Sequence, residues 1–101
     1  MTARLDPRAA RANSRAMASV EIYVQDFCPY CARAKALLDR KGVAYREIYA
    51  PNGSAARAEA IARSGGRTTV PQVFINGVPV GGSDDLHALE RAGRLDAMLA
   101  A

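Results

Sequence analysis

Val20-Glu21-Ile22-Tyr23-Val24-Gln25-Asp26-Phe27-Cys28-Pro29-Tyr30-Cys31 is the stretch on which the fold turns. Val20, Ile22 and Val24 alternate with Glu21, Tyr23 and Gln25, the pattern of a strand with one apolar row. Pro29 fits the first turn of a helix, where its missing N–H costs no intrahelical hydrogen bond. From there to Lys41 the residues Cys31, Ala34 and Leu38 recur at helical spacing, with Arg33, Ala36 and Arg40 opposite and Gly42 as the stop. Two cysteines therefore lie where a strand hands over to a helix.

Further along, Tyr45 to Tyr49 reads as a second strand, followed by the turn Pro51-Asn52-Gly53. Ser54 is placed to cap an Ala-rich helix that runs to about Ser64 and stops at Gly65-Gly66. Val73, Phe74 and Ile75 then meet Val78 and Val80 across Asn76-Gly77, a two-residue hairpin signal. Ser83 is expected to cap a helix with Asp84 and Asp85 in its first turn and Leu86 and Leu89 on its apolar stripe. Gly93 breaks it before a short amphipathic turn with Leu95, Met98 and Leu99. The order β-α-β-α-β-β-α predicts an α/β domain: one four-stranded mixed sheet, parallel at the first crossover and antiparallel at the hairpin, with helices on both faces.

At 101 residues the chain has room for one domain. Half of it is apolar and 24% is charged, an ordinary globular balance, and no run approaches the roughly 18 apolar residues of a membrane span. The net charge of +4 sits mostly in the first sixteen residues, where Arg4, Arg8, Arg11 and Arg15 face Asp6 alone. The body is close to neutral, which argues against nucleic-acid binding. Residues 1–17 are expected to be a basic extension, disordered in isolation, ahead of a domain over 18–101. An upstream start before Met17, a targeting presequence and a surface-binding arm are its alternative readings, the last two because the four arginines would line one face of a helix.

No apolar run of the kind a secretory signal needs follows the basic N-terminus, so a reducing cytoplasm is the expected compartment. There, a close cysteine pair is expected to be chemical rather than structural. As a staple it would close a loop of about four residues, worth roughly 2 kcal/mol against about 3 for a 15-residue loop. A zinc site needs about four ligands, and the chain offers two cysteines and a distant His87; no metal is expected. At the helix N-terminus Cys28 would meet unpaired backbone N–H groups and a partial positive charge, which favour its thiolate. Cys31 falls on the apolar stripe and should be less accessible. The asymmetry suits an attacking and a resolving sulfur.

Two further stretches carry chemistry. In Thr68-Thr69-Val70-Pro71 the X-Pro bond is of the only kind that readily becomes cis, which would leave the backbone before the strand free to pair with a peptide-like ligand. In Gly81-Gly82-Ser83-Asp84 a flexible approach enters a helix N-terminus, where N–H groups would hold a carboxylate and Asp84 could receive an ammonium group. A γ-glutamyl end presents both groups together.

Cys28-Pro29-Tyr30-Cys31, Arg67-Thr68-Thr69-Val70-Pro71-Gln72 and Gly81-Gly82-Ser83-Asp84-Asp85-Leu86 together resemble the glutaredoxins, in particular the small bacterial dithiol type, from about Ser19 to Leu99. The resemblance implies a thioredoxin-like fold, glutathione as reductant and co-substrate with no permanently bound cofactor, and a cis Val70–Pro71 bond beside the cysteines. It implies Cys28 as nucleophile and Cys31 as resolving thiol, with Tyr30, Arg67, Val70, Pro71, Gly82, Ser83 and Asp84 around glutathione. Its expected partners are glutathione and disulfide-containing or glutathionylated proteins, with no nucleic acid or membrane, met by a monomer. Two departures stand out. Gln25 occupies the place, three residues before the first cysteine, where many glutaredoxins have a lysine that assists the thiolate and a glutathione carboxylate; an amide can donate a hydrogen bond without a full charge. Gly65-Gly66 is one residue longer than the usual loop.

The rivals are a glutaredoxin-like redoxin reduced by a flavoprotein reductase, which would not need a carboxylate site at Gly82–Asp84, and an iron–sulfur carrier in which two subunits and two glutathiones hold one cluster through Cys28. Pro29 stiffens the loop against the second. His87 is expected on an exposed face, without a catalytic role.

Overall fold

The computed structural model describes residues 18–101; the expected extension and its arginine face lie outside the described residues. Chain order is β1 (Val20–Val24), α1 (Pro29–Arg40), β2 (Arg46–Tyr49), α2 (Ala55–Arg63), β3 (Gln72–Ile75), β4 (Val78–Gly81), α3 (Ser83–Arg91) and α4 (Leu95–Ala100). The sheet order is β2-β1-β3-β4, with β1 parallel to β2 and antiparallel to β3, and β3 antiparallel to β4. This is the four-stranded mixed sheet, with helices on both faces, expected of a thioredoxin-like fold.

The local signals act as read. Pro29 is the first residue of α1, Ser54 Oγ accepts the Arg57 N–H at 3.0 Å, and Asn76 and Gly77 take positive φ of 53° and 79° in the hairpin. The register sets Ile22 opposite Val73 and Val20 opposite Ile75. That row packs with Cys31, Ala34, Leu37 and Leu38 of α1, Leu86 of α3 and Leu95 and Leu99 of α4. Each fully buried leucine here contributes about 1.5–3 kcal/mol of apolar burial.

Three helices thus cover one face, and α2 alone covers the other. Tyr23, read as part of a polar row, is fully buried there with Ala50, Ala60 and Phe74. A central strand is covered on both sides, so alternation underestimates its burial. The Tyr23 hydroxyl donates to Glu59 and accepts from Arg63 Nη1 at 2.7 Å; Arg63 also pairs with Glu21 at 2.8 Å and lies 4.1 Å from the Phe74 ring centre. A second correction concerns the cap of α3: Gly82, not Ser83, is the N-cap, and Ser83 is the first helical residue, buried. His87 is half-buried rather than exposed, its Nδ1 donating to the Ser83 carbonyl at 2.8 Å. Among the described residues no helix is long and apolar enough to cross a membrane.

Candidate active site

The turn Asp26-Phe27 delivers the chain from β1 to α1, with Phe27 at φ 55° and its side chain fully in solvent. Cys28 follows as the N-cap of α1 in extended geometry, and its Sγ accepts the Cys31 N–H at 3.1 Å. A sulfur in that position takes up one of the donors that the first helical turn leaves unpaired. Cys28 is half-buried while Cys31 is 2% exposed, and the two are joined as a disulfide with a Cα–Cα distance of 5.2 Å.

The Val70–Pro71 bond is cis, and the Val70 carbonyl oxygen lies 3.9 Å from Cys28 Sγ. Beside it opens a cleft of about 270 Å³, near the lower end of the roughly 300–1,000 Å³ of small-molecule sites. Tyr30 and Arg67 form two of its walls, Val70 and Pro71 a third, and Gly82, Ser83 and Asp84 the fourth. All the residues expected around glutathione are therefore gathered in one place, from three stretches of chain. The first turn of α3 faces this cleft, and such a turn carries N–H groups without intrahelical partners. The Tyr30 ring is half-exposed, with the Arg33 guanidinium 5.7 Å from its centre.

Gln25 stands elsewhere. Its side chain is not part of the cleft, and its Oε1 accepts from Arg57 Nη1 at 3.0 Å. Two lining residues escaped the sequence reading, Thr69 and Asp85. Asp85 Oδ2 accepts the Gly82 N–H at 2.9 Å and pairs with Arg67 Nη1 at 2.9 Å, joining two walls of the cleft. The Gly82 N–H, with the Arg67 guanidinium second, holds the Asp85 carboxyl below the usual carboxylate value. An acid at the third position of a helix was the available signal for the first bond; nothing local announces the second. Gly81 makes the crossing feasible, since at its φ of 117° a Cβ would overlap both the Asp85 carboxylate and the Arg67 guanidinium. Among the described residues no three His, Cys, Asp or Glu side chains are grouped to hold a metal ion.

A sequence model of the glutaredoxin family matches residues 20–80. The chain belongs to that family. Glutaredoxin from Pseudomonas aeruginosa is 58% identical over 85 residues, covering 84% of this chain and all of that protein. The solution structure of glutaredoxin from Brucella melitensis is 55% identical, with a TM-score of 0.73 over 84% of this chain and 91% of that one. A buckwheat glutaredoxin–glutathione complex is 32% identical, with a TM-score of 0.72 over 89% and 84%. As a glutaredoxin, this protein is a glutathione-dependent thiol–disulfide oxidoreductase working through the Cys28/Cys31 pair, and the flavoprotein-linked and iron–sulfur readings are not favoured.

Proposed function

We propose that Cys28 is the attacking thiolate and Cys31 the resolving thiol. The observation that carries this is their unequal setting: Cys28 Sγ receives a backbone N–H at the helix start, while Cys31 is buried on the inward face of α1. With a glutathionylated substrate, Cys28 thiolate attacks the glutathione sulfur, the substrate leaves as thiolate, and Cys28 keeps the glutathionyl group. A second glutathione thiolate attacks that mixed disulfide, releasing oxidised glutathione and restoring Cys28. With a protein disulfide, Cys28 forms a mixed disulfide and Cys31 thiolate displaces the substrate as a dithiol. The Cys28–Cys31 disulfide that remains is reduced by two glutathiones. Couples of this class lie near −200 to −230 mV, about the cytosolic glutathione poise, so exchange runs in either direction.

Glutathione acts here as co-substrate and not as a resident group. Its cysteinyl backbone pairs with the Val70 peptide next to cis Pro71 and beside Tyr30. Its γ-glutamyl carboxylate meets the turn at Gly82 and Ser83, its ammonium group meets Asp84, and its glycine carboxylate meets Arg67. Gln25 contributes no charge to this site. The partners are disulfide-containing and glutathionylated proteins, met by a monomer in the cytoplasm.

Steady-state reduction of a glutathionylated peptide, with glutathione as the only electron source, tests the assignment. Cys28→Ser should abolish turnover. Cys31→Ser should retain deglutathionylation and lose reduction of protein disulfides. Equal losses in the two variants would remove the distinction between the sulfurs.

A further inference from the structure

Arg57 projects from the first turn of α2 and is only 7% exposed, yet among the described residues no carboxylate lies within ion-pair distance of its guanidinium. Burying such a group uncompensated is costly, so its donors must be placed to advantage. Nε donates to the Thr68 carbonyl at 3.3 Å, and Nη1 donates to the Ala50 carbonyl at 2.7 Å and to Gln25 Oε1 at 3.0 Å. One side chain thereby ties the segment before cis Pro71 to the ends of both parallel strands.

The neighbouring residues are held from the same side of the sheet. Gln72, fully buried, donates from Nε2 to the Thr69 carbonyl at 2.9 Å, while its Oε1 has no hydrogen-bond partner among the described residues. Ser64 Oγ accepts the Arg67 N–H at 3.1 Å, its own proton lying between the Ile61 carbonyl at 3.1 Å and the Arg67 carbonyl at 3.2 Å. Residues 67, 68 and 69 are each anchored in succession. Val70 comes next, and its own N–H has no protein partner among the described residues.

We infer that Arg57, supported by Gln72, is a positioning residue of this glutaredoxin: it fixes the Thr68–Thr69 backbone so that the Val70 peptide is presented to the substrate at a set distance from Cys28. The inference rests on the proposed pairing of the Val70 peptide with glutathione. It assigns Arg57 no contact with substrate and no part in the exchange chemistry, so its loss should weaken substrate capture and leave the sulfur's reactivity alone.

The test compares Arg57→Met and Arg57→Lys with wild type, at a temperature well below the unfolding midpoint of each. KM and kcat are read with a glutathionylated peptide, and the rate of Cys28 alkylation by iodoacetamide is read separately, since that reagent has no peptide backbone to pair with Val70. Arg57→Met should raise KM about tenfold, the scale of a lost hydrogen bond to a charged group, with kcat and the alkylation rate within about twofold. Arg57→Lys, which keeps the charge but not the forked geometry, should recover part of the KM. A KM within about twofold of wild type in folded Arg57→Met would reduce Arg57 to a structural residue, and an alkylation rate falling in step with turnover would place its effect on the sulfur instead. Should Arg57→Met not fold, Arg57→Lys decides alone: an unchanged KM overturns the inference. Failure of the underlying reading has a different signature: wild-type protein whose KM for a cysteamine mixed disulfide of the same peptide, which offers no backbone to pair with Val70, equals its KM for the glutathionylated form.

Discussion

Replacing Asp85 with alanine removes two bonds at once, and their combined worth can be set from the geometry. The Gly82 N–H loses its 2.9 Å acceptor at the head of α3, a capping interaction of about 1 kcal/mol. Arg67 loses an ion pair whose partners are each close to half exposed, which limits that share to about 0.2–1 kcal/mol. The sum, about 1–2 kcal/mol, corresponds to a fall of roughly 5–10 °C in the thermal midpoint of a domain this size. Because the Asp85 carboxyl is held below its ordinary value, this stabilisation is fully present above the unfolded-chain value of about 4 and is lost as pH falls through the folded-state value. Calorimetry of wild type and Asp85→Ala at neutral pH and again near pH 2 reads both effects. The gap should be several degrees at neutrality and should close in acid. Asp85→Asn should fall between the two, since an amide oxygen can still accept the Gly82 N–H. A neutral-pH gap under about 1 °C, or one that survives undiminished in acid, would refute this account of how the cleft walls are joined.

Gln25→Lys would take away an acceptor of Arg57 and set a second cation beside a nearly buried guanidinium; a lower thermal midpoint is expected, together with a Cys28 alkylation midpoint moved downward, and an unchanged thermal midpoint would contradict the observed contact. In wild type, that alkylation profile should have its midpoint below the roughly 8.5 of free cysteine, owing to the N–H donated to Cys28 Sγ; a midpoint at or above 8.5 would show that the helix start does not activate it. Gly81→Ala would force a Cβ into the Asp85–Arg67 pair at a φ that side chains avoid, so glutathione KM should rise and stability fall; wild-type values in both assays would mean the crossing is more yielding than its geometry.

The elements legible in the sequence are those whose signal is local. Asn76-Gly77 forms the hairpin because both residues accept positive φ, and Pro29 opens α1 because its position needs no N–H. The three motifs carried the cleft for the same reason: each is a short run at a strand or helix end, and the fold brings the ends together. What escaped depends on tertiary neighbours. Tyr23 looked polar because its hydroxyl partners, Glu59 and Arg63, come from a helix far along the chain. Ser83 looked like the cap because side-chain preference favours serine, whereas Asp85 reaches back to the Gly82 N–H. Arg57 resembled one more solvated charge on an Ala-rich helix. Its only sequence sign is the spacing to Ala60, which puts both on the face turned to the sheet. Gln72 was similarly marked only by being the one polar side chain in an otherwise apolar strand.

The sheet ends on β2 at one side and β4 at the other, four residues each. Open strand edges invite other extended chains to add to them. An enzyme that reduces disulfides in proteins handles loosened polypeptide during turnover, the material most inclined to such addition. β2 meets it with Arg46 and Glu47, charges paired to Glu21 and Lys35 on neighbouring elements, and β4 carries Pro79, which has no N–H to offer an incoming strand. Both borders are thereby guarded against templating, so neither edge of the sheet invites a loosened chain to add to it as a fifth strand.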